Sequence, residues 1–340
     1  MPSTTVVTPP RRRCGRLAVL GWATAALVVA VVASVCIGGM ATTPLDVLSA
    51  LFTPTGSEKD LAITGLRIPR TALGIVVGAC LGLAGTLVQG HTRNPIADPG
   101  LLGIFQGAAL AIVLVAAVGN PSGPVQAVFA FGGALAASAL VFAIAASVRG
   151  GATPITLVLA GVAVSALCGA LVATVVLLNM DALDALRFWQ VGSLATRNGA
   201  IAYMWPFAVI GALLAIANAP ALNALALGTQ SAASLGVSLR RARILGIATI
   251  TLLAGTAVML AGPIAFAGLI VPHIARAVVG GDYRWQMPAS ALIGSTVLLL
   301  ADTLGRVIAR PGELSVAVVL AVAGAPFFIA LARRRRTVAL

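Results

Sequence analysis

Long apolar segments, separated by short polar connections, follow one another along almost the whole chain. Each segment is 17–26 residues long, which is about the length that an α-helix needs to cross the hydrocarbon core of a bilayer. The pattern predicts ten spans, at residues 17–40, 71–90, 101–118, 122–147, 155–178, 201–219, 243–262, 264–280, 287–305 and 315–332. We therefore expect an all-α polytopic membrane protein with about ten transmembrane helices.

The boundaries of this domain follow from the same pattern. The first apolar stretch, 17–40, is too long for the apolar region of a signal peptide and is predicted to be a retained span. Gly262-Pro263 divides a 38-residue apolar stretch, 243–280, and we expect a tight hairpin there because this pair breaks a helix. The predicted organisation is a basic tail over 1–16, a transmembrane domain over 17–332 and a second basic tail over 333–340.

Three connecting segments are long enough to carry structure of their own. Residues 41–70 and 179–200 are amphipathic and are predicted to form short helices in the membrane interface. Residues 220–242 form the longest connection on the opposite side. The remaining loops are short and leave no room for a second soluble domain.

Composition supports the membrane assignment. Of 340 residues, 59% are hydrophobic and 9% are charged, whereas a soluble domain carries about 25% charged residues. The mean hydropathy is +1.05. These values exclude an ordinary soluble enzyme, a disordered protein and a nucleic-acid binder, although the net charge is +13.

The charges also predict an orientation. If the N-terminus is cytoplasmic, the inner segments hold 15 basic and two acidic residues, and the outer segments hold seven of each. The whole net charge then lies on one side, as the positive-inside rule describes. An even number of spans with both termini in the cytoplasm is therefore expected.

The sequence restricts how transport could be driven. A phosphate-binding loop of the Walker type needs a Gly-Lys pair, but the only lysine, Lys59, follows Glu58. Ion-coupled carriers usually place ionisable residues inside their spans, and Asp302 is the only acid there. A passive pore and a permease driven by a separate ATPase both remain open.

Three glycines stand four residues apart on the second span, at Gly74, Gly78 and Gly82. They share one helix face, which favours close packing of another helix and is also compatible with lining a pathway.

Arginines on the predicted outer side depart from the general charge rule. Arg67, Arg70, Arg306 and Arg310 lie near the outer membrane surface. They could extend to the interface as isolated cations, or they could form a docking patch for an acidic partner.

Two further features need no catalytic or metal-binding role to explain them. Residues 93–99, with two prolines, predict a rigid turn in which Asn94 and Asp98 satisfy backbone groups. The two histidines, His91 and His273, have no Cys, Asp or Glu at ligand spacing, so a metal site is not expected.

Taken together, the motifs from residue 60 to residue 332 resemble the FecCD family, the permease subunits of bacterial ABC importers for ferric siderophores, haem and vitamin B12. The matching segments are 66–70, Gln89, 93–103, 159–163, Trp189 with 192–194, 227–236, 262–276, 301–302, Arg306, 313–314 and 324–327.

The resemblance implies the type II ABC importer permease fold, also found in the vitamin B12 permease. It implies a homodimer or a related heterodimer in the bacterial cell membrane, a translocation path between the two permease subunits, and an outer binding protein that delivers substrate. Two separate ATP-binding subunits would supply energy, with ATP and Mg²⁺ bound there and no cofactor bound by this chain.

The resemblance also assigns residues. The inner segment 220–242 would couple to the ATPase through Leu222, Leu225, Leu227, Gly228, Ala232, Leu235 and Gly236. The binding protein would dock on Arg67, Arg70 and Arg306, and the path or its gate would involve Gly74, Gly78, Gly82, Gln89, Asn94 and Pro95.

A ferric siderophore is the expected substrate because that use is common in the family, with haem and cobalamin as alternatives. The alternative of a different class is an ion-coupled carrier or passive channel, for which residues 220–242 would be only a loop. A membrane-embedded enzyme is less favoured, since no paired catalytic groups are present.

Overall fold

The structure is a computed structural model that describes residues 15–40, 42–119, 123–148, 152–195 and 201–336. Every regular element in these ranges is helical. The helices are α1 (Arg16–Cys36), α2 (Pro44–Phe52), α3 (Glu58–Ala62), α4 (Ile68–Thr92), α5 (Ile104–Val118), α6 (Gly123–Ser147), α7 (Pro154–Leu178), α8 (Met180–Gln190), α9 (Ile201–Ala226), α10 (Thr229–Ser234), α11 (Leu239–Ala261), α12 (Ala267–Val279), α13 (Tyr283–Ile308) and α14 (Val316–Arg336). A π-helical turn, Ile63–Arg67, precedes α4, and a 3₁₀ turn, Pro99–Leu102, precedes α5.

The predicted spans agree with these helices. Seven helical segments of the described chain are long and apolar enough to cross a membrane, and α5, α12 and the apolar part of α14 are shorter apolar helices. Together they account for all ten predicted segments. The two amphipathic connections contain α2 and α3 on one hand and α8 on the other, as expected. Most of both basic tails, residues 1–14 and 337–340, lies outside the described residues.

The second span begins earlier than the hydropathy indicates. Residues 58–92 form one continuous helical segment, interrupted only by the π turn before Pro69. Proline has no N–H to donate to the carbonyl four residues earlier, and a wider turn relieves the resulting clash. The predicted boundary at residue 71 is therefore wrong, and the interfacial segment is rigidly joined to the span.

The Gly-Pro break is confirmed, but the predicted hairpin is not a packed pair. α11 ends at Ala261, and Gly262 follows in a conformation with φ of +76°. α12 then packs against α4 and α13 rather than returning along α11. The prediction was wrong here because a break specifies where a helix stops and not which neighbour the next helix finds.

α4 lies at the centre of the bundle, where it packs against α13, α11, α12 and α9. The two ends of the antiparallel helices α4 and α13 mark two opposite ends of the molecule. We call the end near Arg67 and Arg306 the arginine end, and the end near Asn223 and Tyr283 the α10 end. α13 has 26 residues and separates them by about 39 Å.

Candidate docking and translocation sites

An ion network occupies the arginine end. Arg70 on α4 donates from Nε and one Nη to the carboxylate of Asp302 on α13, with distances of 2.8–3.2 Å. Its other Nη donates to Glu313, at 2.7 Å. Arg306, one turn after Asp302, stands 3.2 Å from the same carboxylate. Asp302 is fully buried, so its charge is neutralised by two guanidinium groups in place of water.

The same arginines bind the end of α1. Arg306 donates to the carbonyl oxygens of Ser34 and Ile37, at 2.9 and 2.7 Å. Arg67 donates to the carbonyls of Val35 and Cys36, at 3.0 and 3.1 Å. The last carbonyls of a helix have no partner within the helix and carry partial negative charge. The arginines therefore cap α1 and attach it to α4 and α13.

The three arginines that were predicted to dock a binding protein are buried in this structure. Arg67, Arg70 and Arg306 are 7%, 8% and 3% exposed. Arginine on the outer side suggested a surface patch, but the acceptors for these guanidinium groups are supplied by the chain itself. A cavity of about 300 Å³ still reaches all three, and Glu313, with a side chain 45% exposed, lines it. A role in docking stays a prediction.

The opposite end is built around the short helix α10. Gly228, with φ of +116°, precedes the helix, and Gly236, with φ of +81°, follows it. The N–H groups of Gly236 and Val237 donate to the carbonyls of Ala233 and Ala232, at 2.9 and 3.0 Å. This is the Schellman arrangement, which ends a helix at a left-handed glycine. α10 is thus a defined element and not a mere loop.

Of the seven predicted coupling residues, Gly228 and Gly236 are the glycines that bound α10, and the other five divide into two groups. Leu222, Leu225 and Ala232 are buried and hold α9 and α10 to the bundle. Leu227 and Leu235 flank α10 and are 68% and 64% exposed. Two large apolar side chains next to a short exposed helix form a surface suited to a partner.

A cluster of hydrogen bonds, in which Asn223 connects α9 to the start of α13, lies beside this surface and was not identified from the sequence. Asn223 donates to Asp282 at 2.7 Å and accepts from the backbone N–H of Tyr283 at 2.9 Å. Asp282 also caps α13 and stands 3.4 Å from Arg16 at the start of α1. The hydrogen bond from Asn223 is the main cause that lowers the pKa of Asp282 below its ordinary value. Asn223 lies 59 residues from Asp282, so no local signal pointed to it.

The glycine face of α4 packs against another helix of the same chain. A Cβ on Gly78 would stand 2.5 Å from the carbonyl oxygen of Gly294 on α13, and one on Gly74 would stand 2.6 Å from Leu299. A Cβ on Gly82 would likewise clash with the carbonyl oxygen of Ser290. These glycines are buried between α4 and α13, and their role in lining a path stays a prediction. Close packing, the other reading of the pattern, explains them.

The remaining path residues lie near the α10 end of α4. Gln89 is buried and donates to the carbonyl of Gly268 at 3.3 Å, while its Oε1 has no partner among the described residues. Asn94 accepts from the N–H of Ile96 at 3.1 Å, which confirms the expected turn. Asn94 and Pro95 are half-buried. Whether these three side chains contact a substrate stays a prediction.

Asp98 closes the same turn. Its carboxylate accepts from the N–H of Gly100 at 2.8 Å and begins the 3₁₀ turn. Burial raises the pKa of Asp98 to about 6, against the opposing effect of that hydrogen bond. Within the described ranges, no group of three or more His, Cys, Asp or Glu side chains could hold a metal ion.

Comparisons with known proteins agree with the resemblance. The chain is 45% identical over 313 residues to the ferric enterobactin transport system permease protein of Escherichia coli (strain K12), which covers 91% of this chain and 93% of that protein. It is 42% identical over 294 residues to the Fe(3+)-citrate import system permease protein of Bacillus subtilis (strain 168), covering 86% and 87%.

A solved structure shows a similar fold. An inward-facing conformation of a metal-chelate type ABC transporter matches with a TM-score of 0.81 and 27% identity, over 94% of this chain and 99% of that one. The model of the FecCD transport family matches residues 26–334. With the family pattern covering nearly every helix of the bundle, this multi-span membrane chain belongs to the FecCD transport family.

Proposed function

We propose that the chain is the permease subunit of an ATP-driven importer and that separate ATPase subunits bind at α10. The observation that supports this most directly is the pair of exposed leucines, Leu227 and Leu235, beside a helix that glycine turns define at both ends. ATP and Mg²⁺ would be bound by those subunits, and this chain would bind no cofactor.

The proposed assembly contains two permease subunits, identical or closely related, with the substrate path between them. The α10 end would face the cytoplasm, in agreement with the charge distribution of the sequence. Arg16, at the start of α1, lies at that end, and α14 begins near the arginine end and runs back toward it. Both termini would then be cytoplasmic, in the cytoplasmic membrane of a bacterium.

The proposed substrate is a ferric siderophore or a related iron chelate. The support is the two relatives described above, which are named for ferric enterobactin and Fe(3+)-citrate and are 45% and 42% identical to this chain. Haem and cobalamin are the alternatives to test beside them.

Reconstitution would test coupling and substrate together. The full transporter, in vesicles, is offered ferric catecholate, hydroxamate and citrate complexes, haem and cobalamin, and ATP-dependent uptake of each is measured. Leu235→Asp should weaken association with the ATPase about tenfold or more, because a buried charge replaces an apolar anchor. Leu61→Asp is the matched control, since Leu61 is 64% exposed at the arginine end.

Two results would contradict the proposal. Uptake in cells that lack every candidate ATPase would favour a carrier or channel. Equal loss of association with the ATPase in both aspartate variants would show that α10 has no special role.

We further propose that a binding protein docks at the arginine end and inserts carboxylates into the cavity at Arg67, Arg70 and Arg306. Glu313 would compete with them for Arg70, since it occupies one Nη at 2.7 Å. Charge reversal of the buried arginines would itself disturb the fold, so Glu313→Gln is the better test. It should strengthen binding-protein association and its dependence on salt.

Glu58→Gln is the control for that experiment, because Glu58 is an exposed acid at the same end with the same change in charge. Identical effects of the two variants on the association rate would mean that only general charge matters. An unchanged association for Glu313→Gln would exclude exchange at Arg70.

A further inference from the structure

A groove runs along α11 between α6 and α9. At one end, Phe131 on α6 and Phe207 on α9 touch, with ring centroids 5.2 Å apart. Toward the α10 end, residues of α6, α9 and α11 together line a gap. An apolar cavity of about 450 Å³ lies there, with Phe142, Leu214 and Ala248 among its walls.

A second cavity lies beside the first, between α9 and α11. It has a volume of about 340 Å³ and shares Leu214 with the apolar one. Its walls change character along the groove: Leu245 and Ala217 are followed by Ser238 and Arg241 at the start of α11. The described lining of both cavities contains no acidic side chain.

An unsatisfied amide points to a missing polar ligand here. Asn218 on α9 lines the second cavity and is 6% exposed. Neither polar atom of its side chain has a hydrogen-bond partner in the part of the chain that the structure describes. Buried polar groups are nearly always paired, so an orphan next to an arginine and a cavity suggests that a ligand or ordered water completes the site.

The dimensions and the charge favour one class of ligand. From Ser238 to Leu252 the groove follows α11 for 14 residues, or about 21 Å. One leaflet of a bilayer has a hydrocarbon depth of about 15 Å, so the groove matches a head group plus an acyl chain. Leu214 and Leu245 are exposed on helices that are long and apolar enough to span a membrane, so we expect lipid at the rim of the groove.

We propose that this groove binds one anionic phospholipid. Its phosphate interacts with Arg241 and with the amide of Asn218, and an acyl chain fills the apolar cavity between α6 and α9. Gly236 and Val237, which link α10 to α11, line the head-group cavity, so the lipid contacts the segment that carries α10. The site therefore offers a route by which membrane composition affects the α10 end.

The test uses the purified full-length chain in detergent, titrated with phosphatidylglycerol or phosphatidylcholine and followed by native mass spectrometry. One phosphatidylglycerol should bind preferentially. Arg241→Ala should weaken its binding about five-fold, as expected for one basic group at a lipid head group. Arg240→Ala removes the same charge from the neighbouring position, which does not line the cavity, and should have less than half that effect.

The acyl-chain half of the site has its own pair of variants. Ala248→Phe should fill the apolar cavity and prevent binding, whereas Ala136→Phe, an exposed position on α6 outside the lining, should not. Circular dichroism would confirm that each variant is folded. As a second readout, phosphatidylglycerol should raise the melting temperature of the unmodified chain more than that of Arg241→Ala.

Three results would overturn the proposal. Equal effects of Arg240→Ala and Arg241→Ala would indicate general surface charge. Competition by inorganic phosphate, with Ala248→Phe binding normally, would indicate a small-anion pocket. A change in oligomeric mass on Ala248→Phe, without a change in lipid binding, would identify the groove as an interface between copies of the chain.

Discussion

The two ends of the molecule use their side chains in opposite ways. At the arginine end, Arg67, Arg70 and Arg306 are buried and satisfied by acceptors of the same chain. At the α10 end, Leu227 and Leu235 are exposed although they are apolar. Residue type alone would predict the reverse exposure at both ends.

The difference shows that hydrogen-bond acceptors inside the chain decide whether a charged side chain is buried. Helix α1 ends in carbonyl groups that need donors, and Asp302 needs counter-charges, so the arginines are held inside. The last carbonyls of α10 already accept from the N–H groups of Gly236 and Val237, and the leucines that flank this helix, Leu227 and Leu235, stay exposed. The end at which a short helix closes its own C-terminus is the one that leaves large apolar side chains exposed.

Among the substitutions that test this difference between the two ends, removal of Asp302 should lower the free energy of unfolding the most. Asp302→Ala leaves Arg70 and Arg306 without their shared counter-charge and should lower the free energy of unfolding by about 3–5 kcal/mol. Thermal unfolding in detergent measures it. Asp184→Ala breaks the exposed pair with Arg187 and should change little. Similar melting temperatures for the two variants would contradict the account of the network.

Two leucines at the α10 end, one buried and one exposed, should differ in how much each contributes to the free energy of unfolding. Leu222→Ala should cost about 2–4 kcal/mol in unfolding free energy, because it opens a cavity at a fully buried site. Leu235→Ala should change it by about 0.5 kcal/mol or less, since the side chain is exposed. Denaturation of the chain without partners would compare them, and a large loss for Leu235→Ala would show that it is packed.

Removal of Glu313 should be milder than removal of Asp302, although both pair with Arg70. Glu313→Gln should cost about 1 kcal/mol or less, because solvent already screens the half-exposed side chain. The same thermal assay applies. If Glu313→Gln lost as much unfolding free energy as Asp302→Ala, the exposed Glu313 would stabilise Arg70 as strongly as the buried Asp302 does.

The smallest expected effect is a pH dependence at the α10 end. Because its hydrogen bonds lower the pKa of Asp282, the carboxylate contributes stability above the ordinary value of 3.8, and this is lost as the pH falls below it toward the lowered value. Asp282→Ala should therefore melt below the unmodified chain at about pH 7 and converge with it at about pH 3. A gap that persists unchanged in acid would contradict this.

Much of the fold could be predicted from the sequence. The ten apolar segments and the break at Gly262 appear in the structure, as does the turn that Asn94 and Asp98 stabilise. The start of the second span was placed wrongly, because hydropathy does not register a polar helix that continues into an apolar one. The partner of α12 was also wrong, since local sequence says nothing about which helix a neighbour meets.

The candidate sites were predicted less completely. The segment around α10 was found through its motif, and its glycines do terminate the helix. Neither Asn223 nor Asn218 stood out, because an amide becomes informative only when its neighbours are known. The glycines of α4 were placed on one face correctly, yet the face they meet belongs to α13 of the same chain.

The sequence by itself determined the class of the protein, the number of apolar helices and the places where they stop. These properties depend on composition and on local backbone chemistry: a bilayer selects segments about 20 residues long, and glycine and proline end them. The tertiary structure alone decided which charges are free. Arg70 meets Asp302 across 232 residues of chain, and only that meeting turns an apparent surface arginine into a buried one.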